Sequence, residues 1–281
     1  MSYKTILVCL TTEANAERLT RAACLLAKKF EAHLIGLHTK QEMPIHPGVS
    51  VYITDDAVEA FKTGQTRQAE QIGLIFRNVT SAAGLNGEWR LVEAGSESAG
   101  NQLVEHARCA DLVVISQADP DTDRPDQEGI QKQIIQEAGR PVVVVPNIWE
   151  ADSIGNNLLI GWSATREATR ALHDAIPFMR DGGEASIIWV SHSRKGQGSL
   201  LSQTAHEIAA GLDRHGVKTT VTHWDNVDIA IGDAILNEAF VRGADMIVSG
   251  AFGHSRFYDF VIGATTTHLL EHMTVPILFS N

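Results

Sequence analysis

The chain has 281 residues, 44% apolar and 20% charged, the balance of an ordinary soluble globular protein and enough for one large domain or two of about 140 residues. Its net charge of −11 argues against general affinity for nucleic acid or an anionic membrane, and no apolar run approaches membrane-spanning length. Cys9, Cys24 and Cys109 are odd in number and lack any metal or redox spacing; with no leader ahead of the first strand, a reducing, cytoplasmic setting is expected.

Thr5–Leu10 is a continuous apolar run, as in a strand covered on both faces. A polar turn, Thr11–Asn15, leads into apolar residues at Ala16, Leu19, Ala23 and Leu26, which is helical spacing. His33–His38 reads as a second strand. The segment between Thr39 and Asp56, with Pro44, Pro47 and Gly48, reads as a loop over one end of the sheet. A helix over Ala57–Ala83, a strand at Glu88–Glu93, a helix at Ser98–Ala107 and a strand at Asp111–Ile115 follow. A loop rich in Asp and Pro, Gln117–Gln127, precedes a helix at Ile130–Glu137 and a fifth strand within Pro141–Pro146.

After a linker at 147–156 the same order begins again. Leu158–Trp162 repeats the first strand, and Ala168, Ala171, Ala175 and Phe178 repeat the helical intervals. Ser186–Val190, Leu200–His215, Thr219–Thr222, Ile229–Arg242, Met246–Ser249, Thr265–His272 and Val275–Phe279 complete the alternation. Strands alternating with helices imply βαβ units and a parallel sheet with right-handed crossovers. The chain therefore reads as an internal duplication: two tandem doubly wound, Rossmann-like α/β domains, at 1–146 and 157–281.

One stretch of the second half carries chemistry. After the apolar Met246-Ile247-Val248, the chain has Gly250, Gly253 and Gly263 in the spacing G-x2-G-x9-G, followed by Ala264-Thr265-Thr266 at the head of a helix. Glycines at a strand-to-helix junction let the backbone approach an anion, and a helix N-terminus supplies free N–H groups and a positive dipole end. The same glycines would also suit a tight turn with no ligand. His254 and Arg256 lie inside the loop, and a guanidinium there could grip phosphate oxygens in a fork.

Strand, G-A-F-G, nine residues, G-A-T-T, helix and Thr274-Val275-Pro276 before a last strand resemble the universal stress protein family, and the doubled form resembles its tandem members. The resemblance covers essentially the whole chain. It implies five-stranded parallel sheets of order 3-2-1-4-5 with helices on both faces, and ATP held at the carboxyl ends of the strands. It also implies pairing of the domains along their last strands, with Val142–Val145 beside Ile277–Phe279. An internal pair of this kind already satisfies the dimer surface, so a homodimer is left open.

Carried onto this sequence, the resemblance implies a nucleotide site made of Gly161, Trp162, Ser163, Val190, Ser249, Gly250, Gly253, Arg256, Gly263, Ala264, Thr265 and Thr266. Two positions depart from the family pattern. Ser163 stands where an Asp normally faces the nucleoside, and Ala264 stands where Ser or Thr normally meets a phosphate. Trp162 could stack on a base or pack in the core. The first half departs further: Ser116 and Asp119 replace the first two glycines, Thr11 replaces the Asp, and only Gly129 remains. Asp119, Asp121, Asp123 and Asp126 surround the single Arg124, and such a loop would repel a triphosphate unless a cation intervened. This half is read as a partner domain without nucleotide, its acidic loop as solvated.

His268-Leu269-Leu270-Glu271-His272 spells H-x-x-E-H, a zinc-peptidase pattern, but the same residues are needed as a core helix of the repeat. No nucleophile–base pair or carboxylate dyad stands at an interpretable spacing, so neither a catalytic residue nor a metal ligand is assigned. Two readings remain. One is a stress-response module binding ATP, with Mg²⁺, in its second domain as a sensing device rather than an enzyme. The other is a structural or interaction protein of the same fold, holding another small ligand or none.

Overall fold

The structure, a computed structural model, describes residues 2–41, 43, 54–93, 98–122, 124, 126–179, 184–191, 198–225, 228–253 and 263–281. The segment containing Pro44, Pro47 and Gly48 lies outside the described residues, as do His254 and Arg256. The chain divides into two compact units, Lys4–Ile134 and Ile135–Asn281 with Met1–Tyr3, so the division falls inside a helix.

The first unit contains β1 (Thr5–Cys9), α1 (Glu13–Phe30), β2 (His33–Lys40), α2 (Asp55–Ala82), β3 (Glu88–Glu93), α3 (Ala99–Ala107), β4 (Leu112–Ser116) and most of α4 (Gln127–Glu137). Its strands run parallel in the order β3-β2-β1-β4, with Leu7 opposite Ile35 on one side and Val113 on the other. The central residues Ile6, Leu7, Val8, Leu112, Val113 and Val114 are buried on both faces, which is why these strands are apolar throughout rather than alternating. On α1, the predicted stripe Ala16, Leu19, Ala23 and Leu26 is fully buried.

The second unit contains β5 (Val142–Val145), β6 (Asn157–Gly161), α5 (Arg166–Ala175), a 3₁₀ turn at Ile176–Met179, β7 (Glu184–Ser191), α6 (Gly198–Asp213), β8 (Lys218–Asp225), α7 (Ile231–Arg242), β9 (Met246–Gly250), α8 (Ala264–His272) and β10 (Ile277–Ser280). Here β8-β7-β6-β9-β10 are parallel neighbours, and β5 adds to β10 in the antiparallel sense, Val143 opposite Leu278. Among the described residues no helix is long and apolar enough to cross a membrane.

The two halves repeat down to single contacts. Asp111, just before β4, accepts hydrogen bonds from the Lys4 and Thr5 N–H groups at the start of β1. Asp245, just before β9, accepts from Asn156 and Asn157 at the start of β6. Each carboxylate thereby ties the entry of the repeat's first strand to that of its fourth. Three helix starts are capped by a hydroxyl that accepts an N–H from the first turn: Thr54 from Ala57, Ser98 from Asn101 and Thr165 from Ala168.

The observed elements differ from the sequence expectations mostly at their ends. β8 runs from Lys218 to Asp225 rather than over Thr219–Thr222, because it pairs with β7 along its whole length while its residues stay polar. β2 extends to Lys40, held by pairing of Thr39 and Lys40 with Val92 and Glu93. α6 starts at Gly198 and stops at Asp213, before Gly216, which takes φ 78°. α2 is the longest helix, 28 residues or about 42 Å, but its buried residues begin only at Ala69. Among the described residues its first half is exposed or half-buried.

Phe76, on the buried half of α2, is fully enclosed, its ring against Gly36, Gly87 and Trp89. Phe76→Ala should therefore destabilise the protein by about 3–5 kcal/mol, read as a lowered denaturant midpoint. An unchanged midpoint would contradict this packing.

Candidate functional site

The second repeat brings most of its predicted residues to one edge. Gly161 ends β6 opposite Ser249 on β9; Gly250 ends β9, and buried Val190 lies near the end of β7. Three adjacent strands thus deliver their carboxyl ends beside α8, which follows Gly263. Gly263 takes φ 84°, a left-handed conformation that a side chain disfavours, and it provides no side-chain cap. The N–H groups of Ala264, Thr265 and Thr266 take no partner among the described residues, and the first turn of α8 carries the positive dipole end. Thr266 is buried, and its hydroxyl accepts from the Phe252 N–H at 3.0 Å, which leaves its own proton to donate.

The other two glycines are held by α5. A Cβ on Gly250 would lie 2.5 Å from the Ala168 nitrogen and 2.6 Å from the Glu167 carbonyl carbon. A Cβ on Gly253 would lie 2.6 Å from a Glu167 carboxylate oxygen. The G-x2 step is therefore the spacing with which the loop after β9 passes over the first turn of α5. Glu167, with its side chain 10% exposed and 3.3 Å from Arg166, was not singled out in the sequence. A glutamate in a first helical turn is common there, and nothing local says that it will face a glycine loop.

Trp162 is 8% exposed; its N–H donates to Ile188 O, and its Nε1 donates to Thr204 Oγ1 on α6 at 3.3 Å. Those contacts tie it to the core. Ser163, in the position of the expected Asp, shares a hydrogen bond with Thr165, the cap of α5. Arg256 lies outside the described residues.

The corresponding edge of the first repeat is built differently. Arg124, from the loop after β4, is 4% exposed. Its Nη1 donates to the carbonyls of Thr11 and Thr39, its Nη2 to Thr39 Oγ1, and its Nε to Asp126 at 3.2 Å. Thr11 and Thr39 lie at the ends of β1 and β2, so a side chain of the protein itself fills the crevice. Asp126 also accepts from Gln41 Nε2. The acidic loop is thus not simply solvated: at least one carboxylate is bound into this network. Its signal in the sequence was the lone cation among four aspartates.

Beside Arg124, His38 is fully buried. Its Nδ1–H donates to Leu10 O at 2.6 Å, and Nε2 has no partner. Burial, with Arg124 and Lys40 adding positive charge, pushes the imidazole down to about 4. In the H-x-x-E-H segment, His268 pairs with Asp233 at 2.8 Å and stacks on His272. No group of three His, Cys, Asp or Glu able to hold a metal occurs among the described residues.

Two outcomes follow. Gly250→Ala forces a methyl into the α5 backbone, which cannot swing aside, and should cost about 1–3 kcal/mol of stability with or without a ligand. A variant as stable as the parent would show that the approach is not tight. For His38, both folded and unfolded states are neutral above the ordinary value of 6.5. Between pH 6.5 and 4 only the unfolded state takes up the proton, so stability falls with pH, by on the order of 3 kcal/mol over the window. Denaturation midpoints of His38→Gln should show a shallower fall than the parent across that window; parallel curves would contradict the burial of a neutral imidazole.

The model of the universal stress protein family matches the chain twice, at residues 2–146 and 157–280. No curated protein matches the sequence. Among solved structures, a universal stress protein from Archaeoglobus fulgidus is 14% identical, with 98% of this chain and 96% of that chain covered and a TM-score of 0.69. A structure from Pseudomonas aeruginosa described as a universal stress protein is 13% identical, covering 99% and 93%, with a TM-score of 0.57. Such identities show the fold alone.

Proposed function

The chain belongs to the universal stress protein family, and from that premise we propose that its second repeat binds an adenine nucleotide, ATP with Mg²⁺, as a regulatory module rather than an enzyme. The observation that carries this reading is the uncapped first turn of α8. Its N–H groups, without a partner among the described residues, follow Gly263 near the ends of β6, β7 and β9, where doubly wound folds place ligands. Thr265, Thr266 and the backbone of Gly263 and Ala264 would take the phosphates. Gly161, Ser163 and Val190 would face the nucleoside, with Trp162 behind them. The metal follows from Glu167: a carboxylate beside Gly253 repels a bare triphosphate and favours one already neutralised by a cation. The first repeat, with Arg124 across its strand ends, acts as a domain without nucleotide.

A second reading has its own support. Gly250 is required by the close approach of the α5 backbone, so this glycine stands without any nucleotide, whereas Gly253 faces only the carboxylate end of the Glu167 side chain. On that reading the protein is an interaction module whose cradle holds nothing, or another small molecule.

Calorimetric titration of the nucleotide-stripped protein separates the two. ATP·Mg²⁺ should bind with a stoichiometry near one per chain. Removing the metal should weaken binding, and Glu167→Gln should relieve that metal dependence. Ala264→Ser should tighten binding about tenfold by adding one hydroxyl to a charged phosphate. Absence of heat in parent and Ala264→Ser alike, with melting temperatures unmoved by ATP, would overturn the nucleotide reading in favour of the interaction module.

A further inference from the structure

The first repeat carries a second crevice that the nucleotide reading does not use. The middle of α2 (Gly64–Gln71), Arg124 and Glu13 at the head of α1 line a cavity of about 550 Å³. That is within the ordinary range for small-molecule sites, and it sits above the ends of β1 and β2, where this fold class puts its ligands. Its walls are polar. Gln41, Gln65, Gln68 and Gln71 contribute four carboxamides, Arg67 and Arg124 two guanidiniums, and Glu13 one carboxylate.

Charge bookkeeping limits what fits. Arg124 is matched by Asp126, and four of its five N–H groups are engaged, which leaves one Nη2 donor over. Arg67 and Glu13 make no ion pair among the described residues, which leaves one positive and one negative group of this lining unmatched within that set. A polyphosphate would meet the Glu13 carboxylate, and an apolar molecule would find a lining made mostly of polar side chains. A small molecule that carries both a carboxylate and an ammonium matches the lining. Gln68 and Gln71 make no hydrogen bond among the described residues, and each offers a donor and an acceptor to a polar side chain.

We propose that the first repeat holds a small zwitterionic metabolite of the α-amino-acid class in this cavity. Its carboxylate lies toward Arg67 and the spare donor of Arg124, and its ammonium toward Glu13. The site is independent of the second repeat and of any nucleotide there.

Calorimetry and thermal shift on the full chain test this with the twenty proteinogenic amino acids, succinate and putrescine as probes. At least one amino acid should bind and raise the melting temperature. Succinate, which lacks the ammonium, and putrescine, which lacks the carboxylate, should bind at least tenfold more weakly. Arg67→Ala and Glu13→Gln, both on exposed helical positions, should each lower affinity tenfold or more while leaving ATP·Mg²⁺ titrations unchanged. If no amino acid produces heat or a shift, or if binding survives both substitutions unaltered, the assignment is wrong. Tighter binding of succinate than of every amino acid would also overturn it, by showing a site for anions.

Discussion

Both crevices depend on one contact: how closely the loop after a repeat's fourth strand approaches the first turn of that repeat's first helix. Parallel strands oblige the chain to reverse at the carboxyl edge, so these two segments always meet there. In the second repeat they meet backbone against backbone, because Gly250 has no side chain to hold Ala168 away. In the first repeat Ser116 stands in place of the first glycine; its hydroxyl accepts from Arg18 on α1, and its carbonyl accepts from Gln131. Arg124 then crosses the strand ends. One topology thereby yields a narrow backbone-lined edge in one repeat and a side-chain-lined one in the other.

The glycine spacing consequently has two physical causes acting on the same residues. Gly250 is explained by packing on the α5 backbone, whereas Gly263 is explained by its left-handed backbone at the head of α8. Only the latter leads directly to the first-turn N–H groups of α8. The weight of the motif therefore rests on α8, with the Glu167 carboxylate beside Gly253.

The fold was legible because its signals are local. Apolar runs such as Leu112–Ile115 and Leu158–Ile160 announce strands covered on both faces, and the Ala16–Leu26 intervals announce a helix. The recurrence of the same order in the second half identified the duplication without any structure. Edge strand β8 was cut short because polar alternation such as Thr220–Thr222–Trp224 hides an end that only pairing with β7 defines. The candidate site was legible where it is backbone: the glycines and the head of α8. Glu167 and Arg124 were not, since each acts on residues brought near by the fold, Gly253 for one and Thr11 and Thr39 for the other. The four carboxamides of the first-repeat cavity were invisible for the same reason: three lie along α2, and the fourth, Gln41, is brought to them only by the fold.

Hydrogen–deuterium exchange with and without ATP·Mg²⁺ tests most directly whether the second repeat alone presents a nucleotide cradle. Peptides covering Met246–Gly253 and Gly263–His272 should gain protection, while those covering Leu112–Gln131 should exchange as before. Protection in the first repeat, or none anywhere at saturating nucleotide, would contradict the assignment of the cradle to α8.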